Sequence, residues 1–304
     1  MPIPYLDAHC DTVTRGRPIR RCGELHLDLE RLRAYGPAGQ IMAIFAPPGR
    51  DGEDAFERLY AAAARELNAN GDIAAWITST DELDAAAERG VPGLLLSVEG
   101  ANLLGCSVNG LRRGYEKGVR MVTLCWNEDN ALCGSARDTG AGLKERGREF
   151  VRECFALGVA VDLSHASEKT FYDVLETAER PVCCSHSDAR ALCDHSRNLW
   201  DPQIRLLAEN DGFCGLNLCT DFLGRGRDID AVTAHAEHFL SLGMEKNLGL
   251  GTDFDGIPET PAGIRGVESM GEVYEAMLRK NWSEDLVRDI FYNNLHDYLR
   301  RAVG

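Results

Sequence analysis

The chain has 304 residues, 44% of them hydrophobic, enough to bury a large core in one big α/β domain or two ordinary ones. Against 33 basic residues stand 48 acidic ones, and the resulting net charge of -15 repels nucleic acid and anionic membrane at long range. With no basic segment leading into an apolar N-terminal stretch and no run of 18 apolar residues, the expectation is a soluble cytoplasmic protein with no membrane or nucleic-acid partner.

Eleven cysteines, an odd number with no C-x-x-C and many inside apolar runs, read as reduced core residues rather than disulfide partners.

In chain order, the first strand, Tyr5-Leu6-Asp7-Ala8-His9-Cys10-Asp11, runs from an apolar start into a histidine and an aspartate two residues apart. Side chains at i and i+2 share one face of a strand, so His9 and Asp11 project together from its end. Imidazole beside carboxylate suits a divalent transition metal better than calcium, which takes oxygen alone. A second H-x-D, His26 with Asp28, closes no apolar run, and Asp28 is expected to cap a helix beginning at Leu29 instead. The second strand, 40–46, stops at Pro47-Pro48-Gly49, and a helix over about 53–70 follows. Another helix opens at Thr80 or Asp81 and runs through Arg89. The third strand, 93–98, delivers Glu99; a helix over 108–117 leads to the fourth, 119–125, and then to the polar loop Asn127-Glu128-Asp129-Asn130. A helix over 143–157 precedes the fifth strand, 159–163, which ends in Ser164-His165, and Ser167 or Glu168 opens the next helix. The sixth strand, 181–184, ends in Ser185-His186-Ser187; the polar stretch after it carries His195-Ser196-Arg197-Asn198 and enters a helix over 202–209. The seventh strand, 212–218, a helix over 229–242 and the eighth strand, 248–252, lead to Asp253-Phe254-Asp255-Gly256, with two helices from about Val267 and from Ser283 closing the chain.

Eight apolar runs separated by helical segments, with no compositional break, predict a single catalytic domain over residues 1–304: an α/β fold, a closed (β/α)8 TIM barrel. Parallel strands buried on both faces read as continuous apolar runs, as these do. Chemistry in such a barrel sits at the C-terminal mouth, and six candidates fall there: His9, Asp11, Glu99, His165, His186 and Asp253. Any one of them alone could be a helix cap or a satisfied core residue. Three histidines and three carboxylates together exceed what one tetrahedral ion needs and point to two metals sharing a carboxylate. His235 and His238, spaced i, i+3, are read as lying on an exposed helix face, His195 as a supporting residue and His296 as structural.

The segments DAHCD, SVEGA, VDLSH, SHSDAR, HSRN and GTDFDG, in this order and spacing, resemble the membrane (renal) dipeptidase family of binuclear zinc metallopeptidases, among the amidohydrolase-like barrels. The resemblance runs from about Asp7 to Asn293-Asn294. It implies hydrolysis of dipeptides with a free C-terminal carboxylate by a hydroxide bridging two Zn2+ ions, other divalent transition metals being compatible. One ion falls to His9, Asp11 and Glu99, the other to Glu99, as the bridge, with His165 and His186. Asp253 matches the catalytic aspartate that takes the proton of water and passes it to the leaving amine. Arg197 matches the arginine that binds the terminal carboxylate of the substrate, with Asn198 beside it in the same motif as a second substrate-binding residue. Trp126 stands where the family commonly places a histidine that contacts substrate and the developing oxyanion. The implied partner is a small dipeptide, and a homodimer is compatible. Two alternatives remain. One is a related barrel hydrolase acting on another amide, a lactone or a cyclic substrate; the other is a metal-loaded scaffold without catalysis, against which the intact Asp253 argues.

Overall fold

The computed structural model describes residues 2–304. Nine strands pair in parallel: β1 (Tyr5–Cys10), β2 (Ala38–Phe45), β3 (Ala75–Ile77), β4 (Gly93–Glu99), β5 (Val119–Thr123), β6 (Ala160–Asp162), β7 (Cys183–Cys184), β8 (Phe213–Leu216) and β9 (Leu248–Leu250). Eight of them close the expected barrel, because β1 pairs with both β2 and β9 while β2 pairs along its length with β4. The ninth, β3, is too short to register as an apolar run. It takes the first half of one edge of β4, Ala75 opposite Gly93 and Ile77 opposite Leu95, and leaves the second half to β5, with Leu96 opposite Val119.

Two apolar layers result. The larger lies between the strands and their helices, and the smaller fills the barrel interior with Leu6, Ile41, Leu95, Met121 and Phe213. The C-terminal helix Asn294–Ala302 plugs the lower end, stacking Tyr298 on Phe213 at 5.6 Å between ring centroids. Glycine makes room for this floor, since a Cβ on Gly93 would lie 2.6 Å from a methyl of Leu83. Leu83 is fully buried, so its truncation to alanine costs about 2 to 5 kcal/mol. With that end closed, the cavity lined by the strand-end residues lies at the C-terminal mouth.

Helix starts follow local chemistry. Asp28 accepts from the Arg31 amide and caps Leu29–Leu32, as expected. Ser167 likewise caps Glu168–Leu175, whereas Ser79, one residue earlier than expected, caps Thr80–Glu88. One expectation is overturned: His235 is buried, not exposed. It lies on the apolar stripe of Ile229–Ser241 with Val232, Ala236 and Phe239, where its Nδ1 accepts from the Ala189 amide at 3.0 Å. His238 is half-buried against Asp201, 2.8 Å away. His296 is structural, 2.9 Å from Asp84. Nine of the eleven cysteines are buried, in keeping with their reading as small core residues. Among the described residues no helix is long and apolar enough to cross a membrane.

Candidate metal and catalytic centre

All six rim candidates converge at the mouth. In β1 the register against β2 shifts between Asp7 and Cys10, a bulge that re-aims the strand end, and His9 and Asp11 then point inward together. His9 Nε2 lies 4.0 Å from Asp11 Oδ1, 3.8 Å from Glu99 Oε2 and 4.0 Å from Asp253 Oδ1. On the other side Glu99 Oε1 is 3.0 Å from His165 Nε2 and 3.6 Å from His186 Nε2. Glu99 therefore offers one oxygen to each half of the cluster, as a bridging carboxylate must. His165 and Asp253 both adopt left-handed backbone, with φ of 71° and 59°. Such conformations cost energy in non-glycine residues and concentrate at functional sites.

Surrounding hydrogen bonds decide which nitrogen each imidazole presents. Asn127 Oδ1, an acceptor, lies 2.9 Å from His165 Nδ1. The Ser185 hydroxyl donates to Asp162 at 2.7 Å and so accepts from His186 Nδ1 at 2.8 Å. Both Nε2 atoms are then bare acceptors, 3.1 Å apart, and two lone pairs so close repel unless a cation lies between them. His9 Nε2 and Asp11 Oδ1 are buried without any hydrogen-bond partner. Burial lowers the pKa of the His9, His165 and His186 rings and raises those of the Asp11 and Glu99 carboxyls. Asp253 is pushed up to about 7 by burial, against the opposing hydrogen bond that Asn217 Nδ2 donates to its Oδ2 at 3.2 Å. Buried donors of this kind could hold transition-metal ions; sets of three, His9–Glu99–His186 and His9–Asp11–Asp253, have ligand atoms within 4.8 Å of one another.

Two carboxylates that the sequence reading passed over hold the frame. Asp7 accepts from the Tyr5 hydroxyl and from both the amide and the hydroxyl of Thr252, tying β1 to the chain leaving β9. Asp162 accepts from Thr123, from the Ser164 amide and from the amide and hydroxyl of Ser185, locking together the ends of β5, β6 and β7. The signal was present in each case, a lone carboxylate inside an otherwise apolar strand. Gly256 is a third omission, because a Cβ there would run into Asp253 Oδ1 and Asp11 Oδ2. His26, set aside as a ligand, accepts from the Asp255 amide at 3.0 Å and braces that loop.

Arg197 is buried, 4% exposed. Its Nη2 donates to the His186 carbonyl at 3.2 Å and its Nε has no partner. It lines a cavity of about 130 Å³ together with Glu99, His165 and Asp253. Asn198 does not reach that cavity. Its amide donates to the carbonyls of Cys193 and Phe222, pinning the loop that carries Arg197, and it lines a neighbouring cavity instead. His195 supports the same loop by accepting the Arg197 amide at 3.2 Å. Trp126 is half-buried on the cavity wall, its ring centroid 5.1 Å from that of Phe45 and 6.0 Å from that of His165.

Comparison with known proteins agrees with this geometry. An uncharacterized dipeptidase of Schizosaccharomyces pombe is 36% identical over 207 residues, 65% of this chain and 50% of that one; the chain thus spans about half the length of this relative. The dipeptidase tcpJ of Claviceps purpurea is 31% identical over 295 residues, 91% of this chain and 69% of its own. A metallopeptidase of Rhodobacter sphaeroides, solved with a phosphinate mimic of the dipeptide L-Ala-D-Ala, superposes with a TM-score of 0.90 at 28% identity, covering 99% of this chain and 100% of that one. The family model described as membrane dipeptidase (peptidase family M19) matches residues 2–302. From the convergent rim cluster and this match over almost its whole length, the chain belongs to the membrane dipeptidase family of metallopeptidases.

Proposed function

We propose that the protein is a metal-dependent dipeptidase that cleaves dipeptides bearing a free C-terminal carboxylate, with two zinc ions divided between His9, Asp11 and Glu99 on one side and Glu99, His165 and His186 on the other. The donor set fits such ions, being imidazole and carboxylate at separations of 3.0 to 4.0 Å around Glu99 and His9, with orphaned atoms at His9 and Asp11. When bound, the ions supply Lewis acidity to the scissile carbonyl and to the attacking water.

The observation that carries the substrate class is Arg197, a buried guanidinium with a free Nε in the cavity of the cluster. Its planar fork takes a carboxylate in two parallel hydrogen bonds, which a lysine could not do. That contact fixes one end of the dipeptide and brings the peptide bond over Glu99. Asp253 handles the proton. Its Oδ2 is held by Asn217 and its Oδ1 faces the cluster, so Oδ1 takes the proton from water and delivers it to the departing amine nitrogen. Trp126 gives a flat apolar wall, which favours small or flat substrate side chains. Asn198 acts through the loop by holding Arg197 in place. The L-Ala-D-Ala mimic bound by the Rhodobacter sphaeroides relative supports a dipeptide as the substrate.

The direct test is hydrolysis by the zinc-loaded protein of free L-L and L-D dipeptides beside their C-terminal amides and a panel of lactones. Free dipeptides should be cleaved far faster than amides. Equal rates on amides, or a preference for lactones, would overturn the reading.

A further inference from the structure

Arg137 is unaccounted for by the chemistry above, yet it lines the same cavity as Arg197, His165 and Asp253. Its backbone is tied to the centre. The Ala136 amide donates to the His165 carbonyl at 2.8 Å, the Arg137 amide donates to Ser135 Oγ at 3.2 Å, and that hydroxyl donates to the Trp126 carbonyl at 2.8 Å. The segment is therefore built onto the strand end that carries His165. Among the described residues, the guanidinium of Arg137 makes no hydrogen bond or ion pair. Other arginines are engaged: Arg190 pairs with Asp194 at 2.7 Å and lies 4.3 Å over the Trp200 ring, and Arg227 pairs with Asp221 and Glu259. The charge on Arg137 also reaches the loop that carries Arg197, where, after burial, it lowers the pKa of the His195 ring.

We propose that Arg137 selects dipeptides whose C-terminal residue carries an acidic side chain, Arg197 holding the main-chain carboxylate and Arg137 the side-chain one. This rests on the dipeptidase reading, because it takes the substrate's C-terminus to lie at Arg197. The two carboxylates of a C-terminal aspartate or glutamate are a few bonds apart and leave the same α-carbon region. Two arginines lining one cavity suit them both. The protein's overall negative charge works against acidic substrates at long range, and an unpaired cation at the cavity mouth offsets it locally.

The experiment compares Ala-Glu with its neutral isostere Ala-Gln, and with Ala-Lys, on zinc-loaded enzyme. The C-terminal residue is supplied in both L and D forms. An exposed arginine paired with a carboxylate should favour Ala-Glu over Ala-Gln by about three- to fivefold in kcat/KM, mostly through KM, and the preference should shrink as salt is raised. Arg137→Met should bring the ratio close to one. Arg137→Glu should invert it and favour Ala-Lys. Arg137 is exposed, so both variants should fold, which metal content and Tm will verify. An Ala-Glu to Ala-Gln ratio that survives Arg137→Met overturns the proposal. So does a loss that follows Arg15→Met instead, Arg15 lining the adjoining groove on the Asp11 side. If Ala-Gln is cleaved without any acidic preference, only this inference fails; if no dipeptide is cleaved at all, the dipeptidase reading fails with it.

Discussion

Replacing Arg197 with alanine separates substrate recognition from fold. The side chain is 4% exposed, so solvent screens its pairing only weakly, and truncating one partner of a desolvated charge pair costs about 2 to 5 kcal/mol. On the proposed reading the substrate carboxylate would lie in a cavity that opens to solvent, which argues for the lower part of that range, a loss of about 30- to 300-fold in kcat/KM. The fold loses less. The hydrogen bond to the His186 carbonyl and the placement of the guanidinium 5.6 Å over the Phe222 ring disappear, together a net contribution of about 1.5 to 2 kcal/mol, equivalent to a Tm lower by about 3 °C in a chain of this size. The assay is a two-by-two set of kcat/KM values, free dipeptide and dipeptide amide on each of the two enzymes, with Tm measured alongside. The free dipeptide should lose its advantage over the amide in the variant, while the amide itself changes little. If both substrates fall by the same factor, Arg197 acts on the site as a whole and does not anchor the carboxylate.

Three further outcomes are expected. Trp126→Ala should alter the ranking of dipeptides by side-chain size while bound metal stays constant; an unaltered ranking with a lowered Tm would make the indole a packing residue only. Gly256→Ala should lower zinc retention during dialysis against a chelator, because the added methyl runs into Asp253 and Asp11, and undiminished retention would show that the loop yields without cost. His235 is lowered by burial from 6.5 to about 4, so below pH 6.5 the unfolded chain takes up a proton that the folded chain refuses. Stability from this group is complete above about pH 6.5 and falls progressively down to about pH 4, by about 3 kcal/mol in all. His235→Asn should flatten the stability curve over that window, and equal slopes for the two proteins would count against the burial argument.

The barrel was legible because strands covered on both faces must be apolar throughout, and each barrel strand left such a run. Its rim was legible for a related reason. His9, Glu99, His165, His186 and Asp253 each follow an apolar run within a few residues, where a polar side chain has little else to do. What escaped the sequence reading depended on distant partners. β3 is three residues long and exists as a strand only because the first half of one edge of β4 is left free by β5. Asp7 and Asp162 looked like interruptions of strands, and only the fold brings Thr252 and Ser185 to them. His235 was misjudged although its i−3 and i+4 neighbours, Val232 and Phe239, are apolar, because spacing to His238 was weighed above the stripe it shares with them. Arg137 left no local signal, since its position over the cavity comes from Ala136 binding the His165 carbonyl.

The most direct test of two-metal hydrolysis is zinc stoichiometry measured together with turnover for the unmutated protein and Asp253→Asn. The unmutated protein should hold about two ions per chain, as a shared Glu99 requires. Asp253→Asn should keep most of that metal and lose about 10²- to 10⁴-fold in kcat, the usual contribution of a positioned proton carrier. A single ion per chain, or an Asp253→Asn enzyme that turns over at the unmutated rate, would contradict it.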